Sequence, residues 1–297
     1  MKLLFLSDIH FDSEPQRPHY PATNTVHAVF WDWLDRVKHE YDLIVCTGDL
    51  VIRGPACRNE LAALKAKLDT LSHPYVVVPG NHDLCPLMGM EQRYPGVEEY
   101  EYKPLSETNF AQVFGKDGLR NVTYIGGIKL IGLALRNGDP DGQLAWLSEE
   151  LNEPIPKLVY THYPVVPARS GGFCSTWDYN RIRDSKDALA ELLRDPANRV
   201  AAYFCGHLHL NSVMPIGTCA QIVTGAVGLS MTVYREIEIC EYEMTVRTKR
   251  LPMFSDFVGE LMCADERSID AEHPDIRTYH WGNAAERDFA IDLSNFR

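Results

Sequence analysis

The chain has 297 residues, a length typical of one large α/β domain or of two smaller ones. Its formal net charge of −12 argues against a nucleic-acid-binding protein, because such proteins usually need a basic face. Hydrophobic residues make up 45% of the sequence, and no stretch approaches the ~20 apolar residues that a membrane span needs. An anionic substrate would need local positive charge, which a bound metal ion can supply.

The first stretch, MKLLFLSDIH, is interrupted by Ser7 and Asp8 and is typical of a strand, being too short for a signal-peptide core. The eight cysteines are scattered along the chain, and no two of them form a C-x-x-C pair. Several lie in apolar runs, where a free cysteine behaves as a small core residue. We therefore expect a cytoplasmic protein without a disulfide framework.

Strand-like apolar runs alternate with helical patterns along the chain. Apolar runs predict strands over residues 2–6, 43–46, 75–78, 157–160 and 200–205. Apolar residues at helical spacing predict helices over residues 23–40, 58–71, 141–151 and 184–194. This β-α-β-α order predicts helices packed on both sides of a central sheet.

Three further segments have less regular patterns. Residues 121–135 predict a hairpin that turns at Gly126-Gly127, and residues 219–249 predict more strands. Within the second of these segments, REIEICEYEMTVRT alternates apolar and polar residues, as an exposed hairpin does. Residues 85–118, rich in Pro, Gly, Tyr and Glu, predict an irregular loop or a lid.

The C-terminal segment is the least clear. We predict a catalytic domain over residues 1–250 and an extension over residues 251–297, which packs on the domain or on a partner subunit. The extension carries too much aromatic surface to leave in water, namely Phe254, Phe257, Tyr279, Trp281, Phe289 and Phe296. Residues 288–294 (DFAIDLS) alternate like a strand. His273 and His280 lack strand-end spacing and are interpreted as ordinary surface or packing residues.

Polar side chains follow five of the predicted strands. They are Asp8 and His10, then Asp49, then Asn81, His82 and Asp83, then His162, and finally His207 and His209. One Asp after a strand is usually a turn former or a helix cap, but five such strand ends together favour a ligand site. Nitrogen and oxygen ligands without cysteine suit Mn, Fe, Co, Ni or Zn, and there are enough of them for two ions.

These residues resemble the motifs of the calcineurin-like metallophosphoesterases. The matching stretches are DIH (8–10), GDLVIRG (48–54), GNHD (80–83), THYP (161–164) and GHLH (206–209). Each stretch alone is a weak signal, but the ordered set covers about residues 1–210 and is specific. The resemblance implies an α/β fold, a four-layer α/β/β/α sandwich with the metal site at the C-terminal ends of the strands.

The resemblance also implies two divalent metal ions, of Mn, Fe, Zn, Co or Ni. The first would be held by Asp8, His10, Asp49 and His209, and the second by Asp49, Asn81, His162 and His207. Asp49 would bridge the two ions and so take part in catalysis. A water between the ions would lose a proton and attack phosphorus in line.

His82 and Asp83 follow Asn81 but are not expected to be ligands. The resemblance implies that His82 faces the substrate as a catalytic residue, where it would stabilise charge or protonate the leaving oxygen. Asp83 is interpreted as a helix cap or as a neighbour of the ligands.

The substrate branch is indicated by the connecting segments. DGQLAWLSEEL (141–151) and residues 176–209 resemble bacterial phosphodiesterases that act on cyclic nucleotides or glycerophosphodiesters. Protein Ser/Thr phosphatases have Asp where this chain has Ile52, and Glu where it has Asp83. We therefore expect a phosphodiesterase for small molecules, with a phosphomonoesterase as the alternative. A non-catalytic metal-binding scaffold and a nuclease are weaker alternatives, and nucleic acid is not an expected partner.

Two residues are candidate substrate contacts, each with a structural alternative. Arg53 could reach a phosphate oxygen or could be a surface residue of its loop. Trp177 could stack on a base or could be a packed loop aromatic, and Tyr100 and Tyr102 are weaker candidates of the same kind. The resembling phosphodiesterases often dimerise through C-terminal elements, so a homodimer is a further expectation.

Overall fold

The computed structural model describes residues 1–16, 18–86, 90–94, 103–169, 182–259, 261 and 270–297. Its strands are β1 (Lys2–Leu6), β2 (Leu43–Thr47), β3 (Tyr75–Val78), β4 (Arg120–Ile125), β5 (Ile128–Leu133), β6 (Lys157–Tyr160), β7 (Val200–Cys205), β8 (Ser212–Ile216), β9 (Cys219–Val223), β10 (Val233–Ile239), β11 (Glu243–Arg250) and β12 (Asp288–Asp292). Its helices are α1 (Thr23–Val37), α2 (Arg58–Thr70), α3 (Asn81–Leu84), α4 (Asn109–Phe114), α5 (Gln143–Glu150), α6 (Lys186–Arg194), α7 (Ile276–Trp281) and α8 (Ala284–Arg287).

The strands form two six-stranded sheets, with the orders β12-β11-β10-β1-β2-β3 and β4-β5-β6-β7-β9-β8. In the first sheet β1, β2 and β3 are parallel, and in the second sheet β5, β6, β7 and β9 are parallel. Residues that follow parallel strands lie at the same edge of a sheet. The five strands with polar residues behind them, β1, β2, β3, β6 and β7, all belong to these parallel sets.

Three hydrophobic clusters separate four layers of structure. One cluster packs α1, α2 and α4 against the first sheet, through residues such as Phe30 and Leu64. A second lies between the two sheets, where the ring of Phe5 in β1 stacks on Phe204 in β7 with centroids 4.1 Å apart. The third packs α5 and α6 against the second sheet. This arrangement confirms the four-layer α/β/β/α sandwich.

The structure differs from the sequence patterns in several places. The β-α alternation predicted one central sheet, whereas the chain forms two. The irregular segment 85–118 contains helix α4 and three 3-10 helices in its described part, namely Met90–Gln92, Leu105–Glu107 and Lys116–Gly118. The sequence patterns predicted no strand at β8, which contains Pro215 and lies at the edge of the second sheet, where proline is tolerated.

The predicted hairpin over REIEICEYEMTVRT is confirmed as β10 and β11, with an exposed turn and one face that is buried. Strand β10 lies between β1 and β11, and Arg235 on its inner face is fully buried. Its guanidinium donates to the Thr248 hydroxyl at 2.7 Å and to the carbonyls of Val223 and Glu286 at 2.8 and 3.0 Å. Arg235, a polar residue of the alternating pattern, is therefore a core residue whose two Nη atoms are hydrogen-bonded.

The C-terminal segment packs on the chain's own sheet. Strand β12 pairs antiparallel with β11 at the edge of the first sheet. His273 and His280 are 3% and 1% exposed, so they are packing residues and not surface residues. The division between a domain at 1–250 and an extension stays a prediction, as does a homodimer.

Two expectations from composition concern the whole chain. The described cysteines Cys46, Cys57, Cys85, Cys205, Cys219 and Cys240 are all free. Among the described residues, no helix has both the length and the apolar character that crossing a membrane would need.

Candidate metal centre

The candidate ligands lie directly after the parallel strands, in an unusual backbone conformation. Asp8, His10 and Asp49 have φ values of 54°, 49° and 49°, and His207 and His209 have 71° and 54°. Non-glycine residues adopt this left-handed region rarely, and such strain concentrates at functional sites. The backbone therefore turns sharply at each strand end and directs these side chains to one place.

One group of candidate ligands comes from β1, β2 and the loop after β7. The ligand atoms of Asp8, His10, Asp49 and His209 all lie within 4.8 Å of one another. The Nε2 atoms of His10 and His209 are 3.1 Å apart, and Nε2 of His209 is 3.2 Å from Oδ1 of Asp8. All four residues are buried. The geometry brings together the set predicted for the first ion.

A second group shares Asp49 with the first. The ligand atoms of Asp49, His162 and His207 also lie within 4.8 Å of one another. Oδ1 of Asn81 is 3.2 Å from Nε2 of His162 and 2.9 Å from Nδ1 of His207. Oδ2 of Asp49 is 3.3 Å from Nε2 of His162 and 3.8 Å from Nε2 of His10, between the two groups.

The charges of the cluster follow from burial and from the close pairs. Burial alone would raise the pKa values of Asp8 and Asp49, but the facing imidazoles outweigh it and hold both well below their usual value. Burial alone would lower the pKa of His162, but Asp49 reverses this effect and raises it to about 9. Burial lowers the pKa of His207 to about 3. The centre thus contains two ionised carboxylates, a neutral His207 imidazole, and a His162 imidazole that must lose a proton before it can bind a cation.

The donor set fits two divalent cations. Oδ1 of Asp8 is buried and accepts no hydrogen bond from any described residue. Nε2 of His10 faces Nε2 of His209, an arrangement in which one shared proton or one cation must lie between two lone pairs. Carboxylate, imidazole and amide donors without thiolate match borderline divalent metals. These residues therefore form a candidate metal-binding cluster.

Close backbone approaches keep the cluster compact. A Cβ on Gly80 would lie 2.2 Å from Oδ1 of Asp49, and a Cβ on Gly206 would lie 2.4 Å from Oδ2 of Asp8. The carboxylate of Asp83 accepts hydrogen bonds from the backbone N–H groups of Gly80 at 2.8 Å and Leu50 at 3.1 Å. This confirms the helix-cap interpretation of Asp83, which joins α3 to the loop after β2.

His82 lies beside the cluster. Its backbone N–H donates to Oδ1 of Asp49 at 2.8 Å, and its Nε2 is 4.0 Å from Oδ2 of the same residue. Nδ1 is 3.3 Å from the carbonyl of Ile52, and because a carbonyl only accepts, Nδ1 is the donor. Nε2 therefore accepts from the hydroxyl of Tyr20 at 3.2 Å. Burial lowers the pKa of His82 to about 3.

Of the candidate substrate contacts, the structure describes only Arg53. Arg53 is only 6% exposed, so the surface alternative for it is wrong. Its Nη2 donates to the carboxylates of Asp12 and Glu60, and its contact with a phosphate stays a prediction. Trp177, Tyr100 and Tyr102 lie outside the described residues.

Sequence reasoning missed three residues around the centre. Tyr20 follows no strand and belongs to no periodic pattern, and Asp12 and Glu60 resemble ordinary loop and helix residues. A weak signal was available for Glu60, since it is a charged residue on the otherwise apolar face formed by Leu61, Leu64 and Leu68.

Comparison with known proteins agrees with this geometry. Residues 1–211 match the family model of the calcineurin-like phosphoesterases. The chain is 26% identical over 216 residues to a protein of Arcobacter nitrofigilis named as a probable glycerophosphodiester phosphodiesterase, covering 70% of this chain and 72% of that protein. It is also 26% identical over 179 residues to the 3′,5′-cyclic adenosine monophosphate phosphodiesterase of Escherichia coli, covering 58% and 56%.

The fold has a counterpart among solved structures. A dimetal phosphatase from Danio rerio superposes with a TM-score of 0.56 at 14% identity, covering 84% of this chain and 95% of that one. At this identity the likeness concerns the fold alone. The family model covers more than half of the chain, including every candidate ligand. This chain therefore belongs to the calcineurin-like phosphoesterase family.

Proposed function

We propose that this protein is a phosphodiesterase that uses two divalent metal ions to hydrolyse small-molecule phosphodiesters. The observation that carries the proposal is the pair of ligand groups that share Asp49, each with its donor atoms within 4.8 Å. Membership of the family implies hydrolysis of phosphoesters. The two-ion site and the diester substrate are the more specific parts of the proposal.

Each side chain has a defined task in this proposal. Asp8, His10 and His209 hold one ion, and Asn81, His162 and His207 hold the other. Asp49 serves both, and its Oδ1 also fixes the backbone of His82. When bound, the two ions supply activation of the attacking water and offset negative charge on the phosphoryl oxygens.

His82 acts on the departing side of the phosphorus in this proposal. Its ring is fixed by the Ile52 carbonyl on one edge and by the Tyr20 hydroxyl on the other. The Ile52 carbonyl keeps the ring orientation, and Nε2 would exchange the Tyr20 hydroxyl for the leaving oxygen when substrate binds, where it can stabilise charge or transfer a proton.

A diester substrate is supported by the names of the relatives and by the charges near the site. Both relatives described above are named for diester hydrolysis. A monoester carries a second negative charge, and a site that prefers monoesters would need further cationic side chains to stabilise that charge. Arg53 is such a side chain, but two carboxylates already engage it. A phosphomonoesterase is the alternative, and a metal-binding scaffold without activity is a weaker one.

A substrate panel with Mn-loaded protein tests the proposal. It compares bis-p-nitrophenyl phosphate, p-nitrophenyl phosphate, 3′,5′- and 2′,3′-cyclic nucleotides and glycerophosphodiesters. We expect turnover of diesters to exceed that of monoesters with the same leaving group. Monoester turnover about tenfold above diester turnover would favour the monoesterase, and the absence of turnover on every compound would favour the scaffold.

The variant Asp49→Asn tests the two-ion site in the same assay. Loss of the shared carboxylate should reduce both metal occupancy and rate, by about 100-fold or more for the rate. Asp187→Asn, on the exposed face of α6, is the matched control and should retain both. Two metals per chain with full activity in Asp49→Asn would refute the bridging role.

A further inference from the structure

A loop of the structure places a tyrosine directly beside the candidate metal centre. Tyr20 is half-buried, at the end of the loop between β1 and α1. Its ring centroid is 5.1 Å from that of His10 and 6.4 Å from that of His209, and its hydroxyl contacts Nε2 of His82. Because the proposed function places His82 on the departing side of the phosphorus, Tyr20 lies beside the position of the leaving group.

The loop that carries Tyr20 is held by Asp12. One carboxylate oxygen of Asp12 accepts from the backbone N–H of Glu14 at 2.7 Å, and the other accepts from that of His19 at 3.0 Å. These two bonds close the loop and fix the residue directly before Tyr20. The pKa of Asp12, which burial alone would raise, is lowered by the hydrogen bonds from Arg53 and from these backbone groups.

Arg53 and Glu60 anchor Asp12 from behind. Nη2 of Arg53 bonds to Asp12 and, at 2.7 Å, to Oε1 of Glu60. Glu60, fully buried on α2, also accepts from the backbone and the hydroxyl of Ser13 at 2.9 and 3.0 Å. Its other oxygen accepts from the backbone N–H of Arg53 at 2.7 Å. Both carboxylates thus bind the loop and the guanidinium together.

We propose that Tyr20 contacts the leaving group of the substrate and sets leaving-group specificity, and that Arg53 is a positioning residue that acts through Asp12 on Tyr20. The inference rests on the proposed phosphoesterase function, since the leaving group is defined by that reaction. In this proposal Arg53 does not bind the phosphate, because its guanidinium is already bonded to the carboxylates of Asp12 and Glu60. Positioning of Tyr20 and phosphate binding by Arg53 predict different effects on the ratio of kcat/KM between two esters.

The first experiment measures the contact of Tyr20 by leaving-group selectivity. The readout is the ratio of kcat/KM for methyl phenyl phosphate to that for methyl trifluoroethyl phosphate, so that intrinsic reactivity cancels between variants. An aromatic contact predicts a ratio about three- to tenfold lower in Tyr20→Ala, whereas Tyr20→Phe should retain it within about twofold. Tyr124→Phe, exposed on β4, is the control. An unchanged ratio in Tyr20→Ala overturns the contact.

The second experiment distinguishes positioning by Arg53 from phosphate binding. Arg53→Lys keeps the charge but loses the planar fork that joins two carboxylates. A positioning role predicts that this variant lowers the selectivity ratio when Tyr20 is present and leaves it unchanged in the Tyr20→Ala background. Equal losses of kcat/KM for both esters, additive with Tyr20→Ala, would assign Arg53 to the phosphate and overturn the positioning role.

A second variant tests the connection from Arg53 to Tyr20, and a binding measurement tests the contact of Tyr20 without turnover. Asp12→Asn interrupts the same connection without altering Arg53, and it should lower the ratio as Arg53→Lys does, with unchanged Mn content. Calorimetry with phenylphosphonate and methylphosphonate on Mn-loaded protein needs no turnover. A preference for the phenyl compound that is lost in Tyr20→Ala supports the inference even if no ester is hydrolysed, and equal binding in both proteins contradicts it.

Discussion

Nε2 of His10 and Nε2 of His209 lie 3.1 Å apart, although the two residues are separated by 199 positions in the chain. His10 follows β1 of one sheet, and His209 follows β7 of the other. Two imidazole lone pairs approach this closely only around a shared proton or a cation. The two sheets of the sandwich thus bring one imidazole nitrogen each to the same point, which is the arrangement that a shared cation would use.

Metal binding should release a proton from His162. The pKa of this ring is raised to about 9 by the carboxylate of Asp49. Below that pH the metal-free ring is protonated and a cation must displace the proton, so metal affinity should rise with pH, by about tenfold per unit for one proton. Above about pH 9 the ring is neutral and the rise should end.

The measurement is calorimetric titration of Mn²⁺ at pH 7 in buffers of different ionisation enthalpy. We expect about one proton released for the second ion bound. His39→Gln changes an exposed ring and should leave the proton count unchanged. Affinity that is independent of pH between about 6.5 and 8.5 would contradict the assignment of His162 as a ligand.

His82→Ala should lose rate and keep its metals. A general acid or charge-stabilising group contributes about 10²- to 10⁴-fold. The loss should be largest for alkoxide leaving groups and smaller for nitrophenolate. Because burial lowers the pKa of His82 to about 3, an acid role needs a proton gained in the substrate complex. Equal losses for all leaving groups would restrict His82 to charge stabilisation, and loss of metal would show that it is a ligand.

Gly206→Ala should disrupt the first ion. The added methyl would lie 1.8 Å from the hydroxyl of Ser7 and 2.4 Å from Oδ2 of Asp8, so the Asp8 carboxylate must move. Displacing the surroundings of a ligand typically costs about 10- to 100-fold in metal affinity. Elemental analysis and Mn²⁺ titration measure the loss.

Gly225→Ala provides the comparison for Gly206→Ala. Its methyl would meet the flexible end of Met231 at 3.0 Å and no candidate ligand. We expect metal affinity close to that of the wild type. The same loss in both variants would mean that Gly206→Ala acts through general instability rather than through Asp8.

The sequence was sufficient to locate the cluster of candidate ligands because each of these residues follows an apolar run. A strand end is visible in a pattern, and parallel strands bring their ends to one edge. The loop that carries Tyr20 has no periodic pattern, and its position depends on Asp12, Arg53 and Glu60, which come from three separate segments. Local patterns cannot encode such long-range pairing.

Buried polar residues were the second source of error. Arg235 occupies a core position in an alternating strand, and its partners lie on β9, β11 and α8. Alternation reports which side of a strand a residue faces, whereas burial depends on what packs there. The surface alternative for Arg53 is wrong because the carboxylates of Asp12 and Glu60, which come from two other segments, enclose its guanidinium.

The C-terminal segment should support the metal loop as well as cover the sheet. The backbone N–H of Asn211, two residues after His209, donates to the carbonyl of His280 at 2.8 Å. The carbonyl of Asn211 accepts from Nη2 of Arg169 at 2.7 Å, and Nη1 of Arg169 pairs with Glu286. Glu286→Ala should therefore remove the carboxylate that neutralises the buried guanidinium of Arg169. Leaving this buried charge without a counter-ion should cost about 3 kcal/mol or more in unfolding free energy.

Denaturant unfolding of the full chain measures this cost, with Glu272→Ala as the control because Glu272 is exposed on the same segment. His273, whose Nε2 is 2.8 Å from Oε2 of Glu286, should lose its partner as well. We expect Glu272→Ala to remain within about 0.5 kcal/mol of the wild type. If Glu286→Ala were equally stable, the connection from the C-terminal segment through Arg169 to Asn211 would not contribute to folding.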